Sequence, residues 1–236
     1  MGGRASGEIL RAWQQLPASQ ARPLSEPQAD QLAAFLEGMS RWNAVHNITA
    51  VGAEASVPRH ILDALVAWPS LLEHLGDQPN PVILDVGSGN GVPGLPWAVV
   101  APSLQVHLVE RVARKAAFLR RAARDLGLSG RVRVFQESVE SGSGLVAAAP
   151  PQGYAIIASR AFAALEDFLG LTWQHAGPGT CWLYMAGKLS EIKGLSDSVY
   201  IHPEHATRYA LASIEPVSVP GQAGDRHLIW IRRAQA

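Results

Sequence analysis

The sequence predicts an α/β fold: a doubly wound, Rossmann-like sheet, mostly parallel, ending in an antiparallel C-terminal hairpin and preceded by an N-terminal helical segment. Three observations carry that expectation. From residue 82 onward short apolar runs alternate with helical stretches, as strands and their covering helices do in an open parallel sheet. A glycine cluster, Gly87, Gly89 and Gly91, follows the first of those runs. Residues 8–75, by contrast, read as helical.

In the N-terminal part Leu32, Phe35, Leu36 and Met39 recur at helical spacing, with Ser25 as a cap and Pro27 in the first turn. A second amphipathic run holds Ile61, Leu62, Leu65, Val66 and Trp68 and is expected to stop at Pro69. The turn-rich segment from Gly76 to Pro81 marks a boundary between a helical accessory region, residues 1–80, and an α/β domain, residues 81–236. Beyond it strands are predicted at 82–86, 104–110, 132–135, 154–158 and 180–185, with helices through Trp97 and Val100, over 113–126 and over 164–173. The stretch 141–153, rich in Gly, Ala and Pro, reads as containing a loop, and 209–219 with 227–232 as the final hairpin.

Composition narrows the function classes. A hydrophobic fraction of 47% over 236 residues supports a core, and no stretch is apolar enough to span a membrane. The single cysteine, Cys181, makes no internal disulfide, so a reducing cytoplasm is expected. It lies inside an apolar strand and reads as a structural thiol. No metal site is expected, because His202 and His205, separated by Pro203-Glu204, have no cysteine pair nearby. A formal net charge of zero argues against bulk attraction to nucleic acid. Yet Arg111, Arg114, Lys115, Arg120, Arg121, Arg124, Arg131 and Arg133 cluster with Asp125 as the only acid among them. That run is either a solvated helix face or a phosphate-binding surface.

The sharpest local signal is Asp85-Val86-Gly87-Ser88-Gly89-Asn90-Gly91. A strand-to-helix bend at the carboxyl end of a parallel strand is where open α/β sheets hold ligands. Glycine belongs there because a Cβ would block close approach and because the turn can demand positive φ. A dinucleotide fingerprint would require glycine at position 92, where Val92 stands. The G-x-G-x-G spacing instead favours S-adenosylmethionine as the cofactor. Glu110, 19 residues beyond Gly91, ends the second strand where a carboxylate can accept from both ribose hydroxyls. The competing reading makes it a surface acid pairing with Arg111 or Arg114. Asp85 either faces the ligand's ammonium group or caps nearby amides.

Several further segments resemble the RsmG family, once called glucose-inhibited division protein B. Trp42-Asn43, Asn47-Ile48-Thr49 and Arg59-His60-Ile61-Leu62-Asp63 resemble its N-terminal signatures, and Asp85 to Pro96 its cofactor loop. Arg114-Lys115, Phe118-Leu119-Arg120, Ser159-Arg160-Ala161-Phe162 and Gly224-Asp225-Arg226-His227 follow in the family's order. The resemblance implies a bacterial methyltransferase acting from S-adenosylmethionine on N7 of a guanine in 16S rRNA, guanine 527 by family name. The alternative is action on another RNA or a small molecule. It also implies 16S rRNA within, or assembling into, the small ribosomal subunit as partner; a monomer is expected, though the sequence leaves the oligomeric state open. Residues 1–80 would then serve as a substrate-binding accessory region. Positions that meet the cofactor in the family fall here on Gly87, Val92, Val139, Glu140 and Arg160.

This chain departs from the family at Glu137-Ser138, where arginine often precedes the Val-Glu pair, at Gly187-Lys188, where the order is usually reversed, and at Ala64, where serine is usual. Guanine N7 carries a lone pair and no proton, so the implied reaction needs no general base, and no catalytic residue is assigned. Arg59, His60, Asp63 and Arg226 are candidates for phosphate or base contacts. His60 has a structural alternative, a buried histidine tying the N-terminal helix to the sheet. Phe162 is either a stacking platform for a base or a core aromatic.

Overall fold

The computed structural model describes residues 2–16, 22–52, 55–189, 200–201 and 208–234. Its centre is one sheet of eight strands: β1 Val82–Val86, β2 Gln105–Val109, β3 Val132–Phe135, β4 Tyr154–Arg160, β5 Ala176–Ala186, β6 Tyr200–Ile201, β7 Arg208–Pro216 and β8 His227–Arg233. Their order across the sheet is β3-β2-β1-β4-β5-β8-β7-β6. The first five strands are mutually parallel. β8 runs antiparallel between β5 and β7, which makes the expected C-terminal hairpin. The chain winds outward from β1 to β3, then returns to place β4 on the other side of β1. That reversal opens a crevice beyond the carboxyl ends of β1 and β4, where an α/β sheet accepts ligands.

Among the described residues the α-helices longer than one turn are α1 Gly2–Gln14, α2 Glu26–His46, α3 Trp68–Leu75, α4 Gly94–Val100, α5 Ala113–Asp125, α6 Ser143–Ala148 and α7 Leu165–Thr172. The start of α2 is a reciprocal capping box. Gln28 N–H donates to Ser25 Oγ at 3.4 Å, and Ser25 N–H donates to the Gln28 side chain at 3.0 Å. Asn47 closes the helix in the left-handed region at φ 47°, and Asn43 Oδ1 accepts from Thr49 N–H at 2.9 Å to direct the chain onward.

The structure corrects one expectation and extends two. Pro69 does not end a helix. It occupies the first turn of α3, where its missing N–H costs nothing. The 141–153 segment contains α6 as well as loop. The hairpin gains a third strand, as β6 pairs Tyr200 with Tyr209 and Ile201 with Arg208; two residues are too few for periodicity to show. His202 and His205 lie outside the described residues.

One apolar cluster runs from Ile9, Trp13 and Phe35 through Leu65 to Leu95, Val106, Ile156 and Trp230, so the N-terminal helices share a core with one face of the sheet. A second, including Leu84, Val139, Phe168 and Trp182, covers the other face. Two polar ties lock the layers. Trp97 Nε1–H donates to the Ala64 carbonyl at 2.9 Å. The Arg131 guanidinium donates to the carbonyls of Ala98, Ala101 and Leu104 at 2.9–3.1 Å.

Candidate active site

Val86 and Ser159 are paired at the carboxyl ends of β1 and β4. Two cavities, of about 390 Å³ and about 360 Å³, open beyond them, and Ala161 lines both. This alanine has φ 53°, a left-handed conformation that a side chain adopts at a cost. The turn Arg160-Ala161-Phe162 is thus a wall shared by two compartments, held in an unfavourable backbone state.

The first cavity is lined by Gly87, Glu110, Arg111, Lys115, Val139, Glu140 and Phe162, among others. Its floor is the glycine bend. Gly87, Gly89 and Gly91 have φ values of 68°, 53° and 88°. A Cβ on Gly87 would run into the Phe162 ring, and one on Gly91 would lie 2.6 Å from Leu95 Cδ1. So Gly87 lets the bend pack against the Phe162 ring, whereas Gly91 lets it settle onto α4. Glu110 is only 6% exposed, and its carboxylate accepts from Gly89 N–H at 3.0 Å and Val112 N–H at 2.7 Å. Each oxygen has one backbone donor and keeps acceptor capacity for another.

The far wall, Val139-Glu140, is held from behind. His175 Nε2–H donates to the Val139 carbonyl at 2.8 Å, and the Gln174 amide donates to the Glu140 carbonyl at 3.0 Å. The Glu137 carboxylate accepts backbone N–H groups of Gly144 and Leu145 at the start of α6. The Ser138 hydroxyl donates to Glu140, and that bond, first among several causes, holds the Glu140 carboxyl below its ordinary range. Glu137 and Ser138 therefore organise this wall from within the chain. Beneath the bend Asp85 accepts from Gly94 N–H at 3.1 Å. Complete burial pushes its carboxyl up to about 7, partly offset by the Gly94 bond.

The second cavity is lined by Arg59, His60, Asp63, Asn90, Arg160 and Arg226. Asp63 is its hub: Arg160 Nη1–H donates to one oxygen at 2.8 Å and Arg226 Nε–H to the other at 3.2 Å. Arg160 also donates to the Arg59 carbonyl at 3.0 Å, and Arg226 to the Gln222 side chain at 2.8 Å. One carboxylate thereby gathers cations from β4 and from the loop entering β8. His60 is 2% exposed. Its Nδ1 lies 3.4 Å from Asn90 Nδ2. Burial, with Arg160 as the next cause, lowers its pKa to about 4, so the ring is neutral at physiological pH.

The sequence candidates divide between these compartments. Gly87, Glu110, Val139, Glu140 and Phe162 line the first; Arg59, His60, Asp63, Arg160 and Arg226 line the second. Arg160, implied as a cofactor contact, thus stands on the Asp63 side of the shared wall, and Phe162 on the Gly87 side. Gly89 and Gly91 shape the bend, while the Val92 side chain is buried in the core beneath it. Of the basic run, Arg111, Arg114, Arg120, Arg121 and Arg124 are exposed. Arg131 is occupied with three carbonyls, and Arg133 lies 5.3 Å from the Phe135 ring centre. Cys181 is buried, and burial pushes its thiol pKa up. Asn90 and Gln222 were not anticipated. Asn90 lies inside the glycine motif as its variable residue, and Gln222 in a turn with no spacing signal.

A family model described as rRNA small subunit methyltransferase G matches residues 28–229. A ribosomal RNA small subunit methyltransferase G from Acidovorax sp. (strain JS42) is 36% identical over 220 residues, covering 89% of this chain and 88% of that protein. The protein of that name from Ralstonia nicotianae is 37% identical over 218 residues, covering 88% and 87%. A SAM dependent methyltransferase from Aquifex aeolicus superposes with a TM-score of 0.50 at 14% identity, over 82% of this chain and 97% of that one. This last likeness speaks for the fold alone.

Proposed function

The chain belongs to the rRNA small subunit methyltransferase G family, and on that premise we propose that it methylates N7 of a guanine in 16S rRNA, guanine 527 by family name, using S-adenosylmethionine. The observation that carries the proposal is the pair of cavities meeting at Ala161, one against the glycine bend and one around Asp63.

The first cavity fits a nucleoside cofactor: a glycine bend at Gly87 with the Phe162 ring packed where a Cβ would stand, and a buried Glu110 with acceptor capacity for two hydroxyls. Gly87 and Glu110 would hold the amino-acid and ribose parts, with Val139 and Glu140 beside the base. Bound there, S-adenosylmethionine supplies an electrophilic methyl carbon on a sulfonium. Every other task falls to the chain. It must exclude water, bring the purine edge past Ala161 to the methyl group and align the nucleophile, effects that lower a barrier by several kcal/mol. Because N7 has no proton to lose, no side chain has to act as a base.

The second cavity is the place for the acceptor. Arg59, Arg160 and Arg226 suit the phosphates flanking a splayed-out nucleotide, and Asp63 keeps the two paired guanidiniums oriented. Residues 1–80 contribute Arg59, His60 and Asp63, which is the accessory role we assign to them, and residues 81–236 form the methyltransferase domain. The exposed arginines of α5 extend the phosphate-binding surface.

Incubation with labelled S-adenosylmethionine and small ribosomal subunits lacking the modification tests the proposal. The label should appear as N7-methylguanine by mass spectrometry of digested 16S rRNA. Methylation of another RNA, another base or only small molecules would overturn it.

A further inference from the structure

Asn90 and His60 meet at the back of the acceptor cavity in an arrangement with a chemical consequence. The Asn90 side-chain nitrogen lies 3.7 Å from Met39 Sδ and 3.4 Å from His60 Nδ1. Thioether sulfur only accepts. Turning the amide over would set its oxygen against that sulfur, acceptor facing acceptor. The amide nitrogen therefore stays where it is, His60 Nδ1 accepts from it, and the imidazole proton sits on Nε2. Among the described residues that Nε2 has no hydrogen-bond partner, although His60 is almost fully buried and lines the cavity. A buried donor without an acceptor is a standing cost that a ligand can remove.

We propose that His60 is the residue that selects guanine, its Nε2–H donating to purine O6, with Asn90 as the positioning residue that sets its tautomer. This rests on the guanine-N7 reading above and sharpens it. O6 shares one edge with N7, so a donor there orients the nucleophile as well as identifying the base. Adenine carries an amino group at the same place and would set donor against donor. The charged donors of the cavity are the guanidiniums of Arg59, Arg160 and Arg226. As N7 takes up the methyl group the purine ring becomes positive, and a cation against O6 would oppose that change. A neutral imidazole does not, and burial holds His60 neutral.

A double-substitution cycle tests the contact. Small subunits are reconstituted with 16S rRNA carrying guanine or 2-aminopurine, which lacks O6, at the target position. Labelled methyl transfer is then measured with the wild-type chain, His60→Phe and His60→Gln. With guanine, His60→Phe should lower kcat/KM about tenfold, the scale of one neutral hydrogen bond. With 2-aminopurine it should lower it no further than wild type, and His60→Gln, which keeps a donor, should recover most of the guanine rate. S-adenosylhomocysteine affinity should be equal in all three, since His60 does not line the cavity beside Gly87. Equal losses on both bases, or no recovery with His60→Gln, would overturn the assignment. A wild-type chain that leaves guanine N7 unmethylated would instead sink the parent reading.

Discussion

The two compartments on either side of Ala161 are built by different means. The first is mainly backbone: a glycine bend at positive φ, a carboxylate pinned by two main-chain N–H groups, and a wall whose carbonyls are held by His175 and Gln174. The second is mainly side chain: Asp63 bridging Arg160 and Arg226, and His60 against Asn90. A main-chain cradle suits a ligand that is the same at every turnover. A charged, side-chain cavity suits a segment of a large polyanion that must be admitted, identified and released.

The contrast is broken most severely at Gly87. Gly87→Val forces a branched side chain into a positive-φ position and against Phe162, so S-adenosylmethionine affinity should fall about a hundredfold, ~2.7 kcal/mol, by calorimetry. Normal affinity would place the cofactor elsewhere. On the other side, Asp63→Asn removes the charge that Arg160 and Arg226 share. Their side chains are 22% and 32% exposed, so solvent screening limits the lost stability to about 1–2 kcal/mol in denaturant titration. Methyl transfer should drop while cofactor affinity holds. Parallel loss of both would mean that the compartments are not separable.

The same contrast extends to protons. Asp85, beneath the bend, has its pKa raised to about 7 from 3.8, so it contributes stability at low pH that is lost as pH climbs through 7. His60, in the Asp63 compartment, and His107, in strand β2, are lowered to about 4 from 6.5; their contribution is present above 6.5 and lost as pH falls toward 4. Between these limits the unfolded chain gains two imidazole protons and gives up the one held by Asp85. Stability should therefore rise with pH across that window. Asp85→Asn removes the opposing term and should steepen the slope by up to about 1.4 kcal/mol per pH unit. An unchanged slope in chemical denaturation would contradict a protonated Asp85. The smallest effect is expected at α5. Arg120→Ala with Arg121→Ala should weaken subunit binding severalfold and reduce its salt slope by about two, leaving cofactor affinity unchanged. Equal loss of both affinities, by filter binding and calorimetry, would deny these arginines a phosphate role.

How far each compartment can be read in advance follows from its construction. The glycine bend is legible because its residues are contiguous and strand β1 precedes them as an apolar run. Glu110 is legible from spacing alone. The Asp63 hub is not, since an ion pair between positions 63 and 226 leaves no local pattern. The same limit applies to Arg131, which looks like one more cation in a basic run until the fold brings three carbonyls to it. Pro69 misleads for another reason: proline halts a helix from inside but is welcome in its first turn, and the sequence shows only the proline.

On the proposed reading, donor and acceptor occupy opposite sides of the Arg160-Ala161-Phe162 turn. A crystal structure with S-adenosylhomocysteine tests it most directly. The ribose should hydrogen-bond Glu110, and the sulfur should lie near Ala161, facing the Asp63 compartment. A nucleoside seated among Arg59, Asp63 and Arg226 instead would contradict the account.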